Sequence, residues 1–160
     1  MPLRFQPPHP FPRLSLPDLR GAARPLAEAW AERSALFVFG HRDCATTRLG
    51  LPFVDRIHRR RPPGTAVIAI LQDDPAGAGA LVRELDLALP VLLEPDPYPA
   101  AAELGLRTVP TLLLVGTDGL VARAAEGFRR EELEALAAAV GVTGALFTQA
   151  DAGVPARRPG

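Results

Sequence analysis

Two unbroken apolar runs, residues 35–39 (ALFVF) and 65–71 (TAVIAIL), constrain this chain more than any other feature. They are too short for buried helices, rich in β-branched and aromatic side chains, and show no polar alternation. Such runs read as strands covered on both faces, which requires a sheet with other elements packed above and below it. The segments around them supply those elements. Residues 24–33 (RPLAEAWAER) predict a short helix with Leu26, Ala29, Trp30 and Arg33 near one face. After the first run, Leu49, Phe53 and Ile57 recur at fourfold spacing, predicting a helix that RRPPG ends at about Arg61.

The second run is followed by an amphipathic helix over 78–87, a short apolar segment at 90–93 and a further helical turn or two at 99–104. Residues 111–115 and 120–125 flank a Thr-Asp-Gly turn, the signature of a hairpin. Leu133, Leu136, Ala137 and Val140 then mark a last helix packed on the sheet. Strand–helix alternation closing in a hairpin and a helix predicts an α/β fold, a central mixed β-sheet flanked by helices on both faces.

The ends read differently. Six prolines fall in the first seventeen residues, each fixing φ and removing a backbone donor, so residues 1–13 are expected to form an extended proline-rich arm. The folded domain is expected over 14–141. The Gly-, Ala-, Pro- and Arg-containing stretch 142–160 is expected to be a flexible tail.

Composition narrows the function classes. Eighteen basic and eighteen acidic side chains balance to zero, which leaves no general field for nucleic acid or an anionic membrane. No apolar run approaches the ~20 residues of a membrane span, and the N-terminus lacks the apolar core of a signal peptide. A cytoplasmic location is therefore expected. One cysteine rules out an intrachain disulfide and a Cys-rich zinc site, and His9, His41 and His58 are scattered, so no metal is expected.

That cysteine lies in GHRDCATTRLGLP, residues 40–52, between the first strand and its helix. A thiolate at a helix N-terminus is stabilised by free backbone N–H groups and the helix dipole. Thr47, one turn on, could donate its hydroxyl to the sulfur. His41, Arg42 and Arg48 could add positive charge. Asp43 would oppose them through like-charge repulsion, or else cap the helix.

Cys44-Ala-Thr-Thr47-Arg48 after a buried strand, Pro52 in the following helix, and Arg107-Thr108-Val109-Pro110-Thr111 leading into the hairpin together resemble the thioredoxin-fold proteins of the redoxin, or TlpA-like, group. The resemblance covers about residues 14–141. It implies a thioredoxin-like fold and a role in thiol–disulfide exchange and cell redox homeostasis, of bacterial type. It also implies a cis Pro110 facing Cys44, with the Val109 backbone open to an extended partner peptide. Cys44, Thr47 and Pro110 are then the catalytic candidates, and Val109, Thr108, His41 and Arg48 the substrate-binding ones. Three positions depart from the family pattern. Thr47 replaces the resolving cysteine, Asp43 replaces a frequent tryptophan, and Val38 stands where thioredoxins keep a buried acid.

A lone thiolate can form a mixed disulfide but needs an external thiol, such as glutathione, to release it. The expectation is a monothiol oxidoreductase acting on protein or small-molecule thiols and disulfides, with no bound cofactor. Other readings remain open at the sequence level. One is a degenerate thioredoxin-fold scaffold without redox activity. Another is a peroxiredoxin-like peroxidase, which His41 disfavours by holding the place of that group's threonine. A third, weaker comparison is with the monothiol glutaredoxins and their glutathione-supported iron–sulfur role. Asp73 and Asp74 read as a loop-starting turn, with proton transfer near the cysteine as the less favoured role. Arg56 and the basic residues 58–61 read as a helix C-terminal cap, and Trp30 and Phe39 as core.

Overall fold

A computed structural model describes residues 6–160; residues 1–5 of the expected arm lie outside the described part. The chain begins with three short strands, β1 (His9–Pro10), β2 (Ser15–Pro17) and β3 (Ala23–Pro25), and a 3₁₀ turn over Leu26–Trp30. Then follow β4 (Ala35–Gly40), α1 (Ala45–Arg60), β5 (Val67–Leu71), α2 (Pro75–Leu85), β6 (Val91–Leu93) and α3 (Pro99–Leu104). The hairpin β7 (Thr111–Val115) and β8 (Leu120–Glu126) leads through β9 (Phe128–Arg129) into α4 (Arg130–Ala139). A 3₁₀ turn at Gln149–Asp151 and β10 (Arg157–Arg158) complete the chain.

Six strands form the main sheet, in the order β1-β8-β7-β4-β5-β6. β4 pairs parallel with β5, and β5 parallel with β6. β7 runs antiparallel to β4, and β8 antiparallel to β7. The mixed sheet expected from strand–helix alternation followed by a hairpin is therefore the one observed.

Strand alternation divides the core into two layers. Leu36, Val38, Leu112 and Leu114 face the layer that holds Phe53, Val54 and Ile57 of α1, Leu81 of α2 and Leu133 and Leu136 of α4. Phe37, Phe39, Leu113 and Val115 face the other layer, with Ala100 and Leu104 of α3, Leu26 and Trp30 of the 3₁₀ turn, and Phe11. Val38, 1% exposed, is ordinary core on the face covered by α1, α2 and α4. Burying both faces of β4 is why ALFVF carries no polar residue.

Three segments differ from the sequence reading. The helix expected over 24–33 is a strand end followed by one 3₁₀ turn. Backbone pairing of β3 with β2 takes the first residues, and Pro25 supplies the extended residue before the turn. The second helix starts at Pro75 rather than 78, because the Asp74 carboxylate accepts the Gly77 N–H (2.7 Å) and Pro occupies the first helical turn.

The third difference is at the ends. His9–Pro10 adds to the sheet edge beside β8, and Phe11 stacks on Phe37 with ring centroids 4.5 Å apart. The stretch 142–160, expected to be flexible, is docked on the α1–α4 side. Leu146 is fully buried, Phe147 packs 4.5 Å from Phe53, and Arg56 donates to the Leu146 carbonyl (2.9 Å) and to Asp151 (2.8 Å). The short Ala145-Leu146-Phe147 cluster shows no helical or strand period, so only the docked surface reveals the burial of Leu146.

Candidate active site around Cys44

The site lies at the end of β4, where Gly40 lets the chain turn into α1. A Cβ at Gly40 would meet Thr47 Cγ2 at 2.7 Å, so only glycine allows the first turn of α1 to sit this close to the strand. Cys44 itself is the N-cap of α1, in extended conformation (φ −90°, ψ 115°). Its Sγ accepts the Thr47 backbone N–H at 3.4 Å, and its S–H donates to the Val109 carbonyl at 3.4 Å. Cys44 is a partly exposed free thiol.

The Val109–Pro110 peptide bond is cis, which brings the Thr108–Val109 backbone against the cysteine. Two stretches some 65 residues apart thus meet at one sulfur. Thr111, fully buried, donates its hydroxyl to the Thr108 carbonyl (2.8 Å) and closes this loop on itself.

The remaining candidates lie close by in contacts of a different kind. Thr47 is fully buried, and its hydroxyl oxygen accepts the His41 N–H (3.4 Å) while its backbone N–H, not the hydroxyl, reaches the sulfur. Asp43 does not cap α1: its side chain is 77% exposed, and its N–H donates to His41 Nδ1 (3.2 Å). An Nδ1 that accepts leaves the proton of a neutral imidazole on Nε2, which points to the Asp73 carboxylate at 3.5 Å. Arg48 is turned to the Arg42 carbonyl (2.7 Å) and to Glu84 (2.9 Å), so its charge is spent on bracing the loop rather than on the sulfur.

Asp73 is more than a turn former. It accepts the Arg42 N–H (3.0 Å) and underlies the His41–Arg42 segment, while Asp74 is the cap of α2. Burial pushes the Asp73 carboxyl above the usual carboxylate range, against the opposing pull of the Arg42 N–H and of His41.

The arginines ending α1 are held by intramolecular partners. Arg59 pairs with Asp55 (2.7 Å), Arg60 donates to the Ala145 carbonyl (2.9 Å) and Arg61 to the Thr65 carbonyl (2.7 Å). Asp55 in turn accepts the Ala88 and Leu89 N–H groups at 2.8 Å, tying α1 to the loop before β6.

Periodicity did not disclose the groups that wall the site. Thr46 donates its hydroxyl to the Pro159 carbonyl (2.7 Å), and Gly160 lies against the Val109 carbonyl and the Thr108 hydroxyl. On the Thr108–Val109 backbone there also opens a cavity of about 300 Å³, lined by Gln72, Tyr98, Ala101, Leu106 and Arg107 as well. A larger cavity of about 580 Å³ sits between the β2–β3 hairpin and the β5–β6 edge and shares no residue with the cysteine site. No helix among the described residues is long and apolar enough to cross a membrane.

No protein-family model matches the chain, and no curated protein does. Solved structures do. A Bacteroides thetaiotaomicron protein named as a protein disulfide isomerase superposes with a TM-score of 0.76 at 17% identity, covering 86% of this chain and 91% of its own. A secreted disulfide oxidoreductase of Mycobacterium tuberculosis gives 0.66 at 18%, over 79% and 96%. A thiol:disulfide interchange protein of the thioredoxin family from Chlorobium tepidum gives 0.66 at 17%, over 86% and 99%. Identities this low carry the architecture and not the chemistry. The chain has a thioredoxin-like fold, with Cys44 at the head of α1 and a cis Pro110 facing it.

Proposed function

We propose that this protein is a monothiol thiol–disulfide oxidoreductase in which Cys44 forms mixed disulfides that an external thiol resolves. One observation carries the reading: Cys44 caps a sixteen-residue helix, partly exposed, with the Val109 carbonyl of the cis-proline loop 3.4 Å from its sulfur. The similar solved proteins bear thiol–disulfide names and supply the shared fold, while the chemistry is argued from the geometry at Cys44. Thr47 removes the internal route to completion, because a second sulfur is needed to break the mixed disulfide.

The cycle then has two balanced steps. The Cys44 proton passes to solvent, and the thiolate attacks one sulfur of a disulfide; that S–S bond breaks, a Cys44–sulfur bond forms, and the other half leaves as a thiolate. An external thiol next attacks the mixed disulfide, departs joined to the carried half, and returns Cys44 as a thiol. The electrons come from the external thiol, with glutathione the natural candidate. A cytoplasmic setting suits the cycle, because small thiols are kept reduced there. Thr108 and Val109 supply backbone groups to the incoming substrate, and His41, held by Asp43 and Asp73, lines the approach.

The test is incubation of the reduced protein with oxidised glutathione, read by intact mass. One glutathionyl adduct on Cys44, removed by added reduced glutathione and missing in Cys44→Ser, is the expected result. A thiol inert to disulfide and slow to alkylate would overturn the reading.

A further inference from the structure

The last residues of the chain occupy ground that an extended partner would need. β10 pairs antiparallel with β9, Arg157 opposite Arg129 and Arg158 opposite Phe128. From there the chain passes Gly127, whose φ is +71° and where a Cβ would meet the Arg158 carbonyl at 2.7 Å. Glycine at 127 is thus required twice, by its backbone conformation and by the close approach. Pro159 then accepts the Thr46 hydroxyl at 2.7 Å, and Gly160 abuts the Val109 carbonyl and the Thr108 hydroxyl. The Val109 carbonyl therefore has Cys44 Sγ, the Thr108 hydroxyl and Gly160 around it.

The segment is anchored well upstream. The Arg130 N–H donates to the Ala156 carbonyl (2.9 Å), and its guanidinium reaches the carbonyls of Asp151, Val154 and Pro155. A polypeptide that binds by strand addition needs free main-chain groups along its path. Here the path from β9 across the first turn of α1 to Val109 is already taken. Cys44 nonetheless stays partly exposed beside residues 155–160. The neighbouring 300 Å³ cavity, which meets the site at Thr108–Val109 and not at the sulfur, has no wall from that segment and matches the lower range of small-molecule sites.

Resting on the monothiol reading above, we propose that residues 155–160 act as a strap that selects the substrate: small disulfides reach Cys44 with the strap in place, whereas extended polypeptide disulfides must displace it. The chemistry is the same in both cases, with Cys44 sulfur bonding to one substrate sulfur and the other leaving as a thiolate. Only access differs.

The test compares the rates of Cys44 adduct formation with oxidised glutathione and with a ten-residue extended peptide carried as its symmetrical disulfide. The wild type is set beside Thr46→Val, which keeps the whole chain and deletes the Pro159 hydrogen bond, and beside a chain ending at residue 154. Circular dichroism confirms folding of each. Loss of one hydrogen bond should raise the peptide rate about fivefold in Thr46→Val and leave the glutathione rate within about twofold. The truncated chain should gain ~10-fold or more with the peptide. A peptide-to-glutathione rate ratio that stays constant across the folded variants overturns the strap alone. Absence of any disulfide adduct in every variant, with Cys44 still alkylated by iodoacetamide, overturns the exchange reading and the selectivity with it.

Discussion

At the scale of single residues, position 47 decides the mechanism. Its backbone N–H already reaches Cys44 Sγ at 3.4 Å, and residues three apart share a helix face. Thr47→Cys should therefore restore a dithiol. A glutathione adduct formed on Cys44 of that variant should be resolved internally, its lifetime shortened about a hundredfold or more by the effective molarity of a neighbouring nucleophile. Acid-quench mass spectrometry after a pulse of oxidised glutathione checks this; a long-lived adduct on the double-cysteine protein would contradict it. Cys44 and Val109-Pro110 were linked at the sequence level only by their resemblance to the thioredoxin-fold pattern. Their hydrogen-bond partners were not readable there. Whether Asp43 or Cys44 caps α1, and whether Thr47 offers its hydroxyl or its N–H, depends on a one-residue shift of helix start that no periodicity resolves.

At the scale of elements, the N-terminal arm is the informative one. Five prolines disqualify it as a long strand, yet β1 pairs with β8 for two residues and delivers Phe11, 2% exposed, onto Phe37 and Trp30. Phe11→Ala should cost ~3–5 kcal/mol, the range for truncating a buried aromatic, although the residue belongs to a stretch that reads as an extended arm. Urea unfolding measures this, and a loss under about 1 kcal/mol would mean that the arm packs only loosely. Strands β4 and β5 were legible because burial on both faces leaves an apolar run, and β7 because it flanks the Thr-Asp-Gly turn. The 3₁₀ turn at Leu26–Trp30 was misread as a helix because its buried residues, Leu26 and Trp30, also fit helical spacing. For α2, the Asp-Pro start was a usable signal that apolar spacing alone passed over.

At the scale of the molecule, one ion pair links the end of the chain to α1. Arg56 binds Asp151 at 2.8 and 3.3 Å, and together with the Thr148 N–H it holds the Asp151 carboxyl well below the usual carboxylate range. A depressed carboxyl contributes stability that is fully present above its unfolded value of about 3.9 and is lost as pH falls through the folded value. Asp151→Asn should thus lower the urea midpoint at neutral pH, and the gap to wild type should close as the pH is taken down below about 3.9. Midpoints measured across that range check the sign; a gap independent of pH would remove the ion pair from the account. The same substitution should loosen the anchored segment that leads to the strap.

The amino-acid sequence by itself determined the layered architecture, because apolar runs and helical spacing are local patterns that report which faces must be buried. It also determined that Cys44 has no internal resolving partner, because that is a matter of counting sulfurs. Only the tertiary structure decided what surrounds the sulfur. The Val109 carbonyl, the Thr46–Pro159 bond and the Gly127–Arg158 approach join positions from 31 to more than 100 residues apart. Such contacts follow from the sheet order and the path of the docked C-terminal segment, and local propensity carries no record of either.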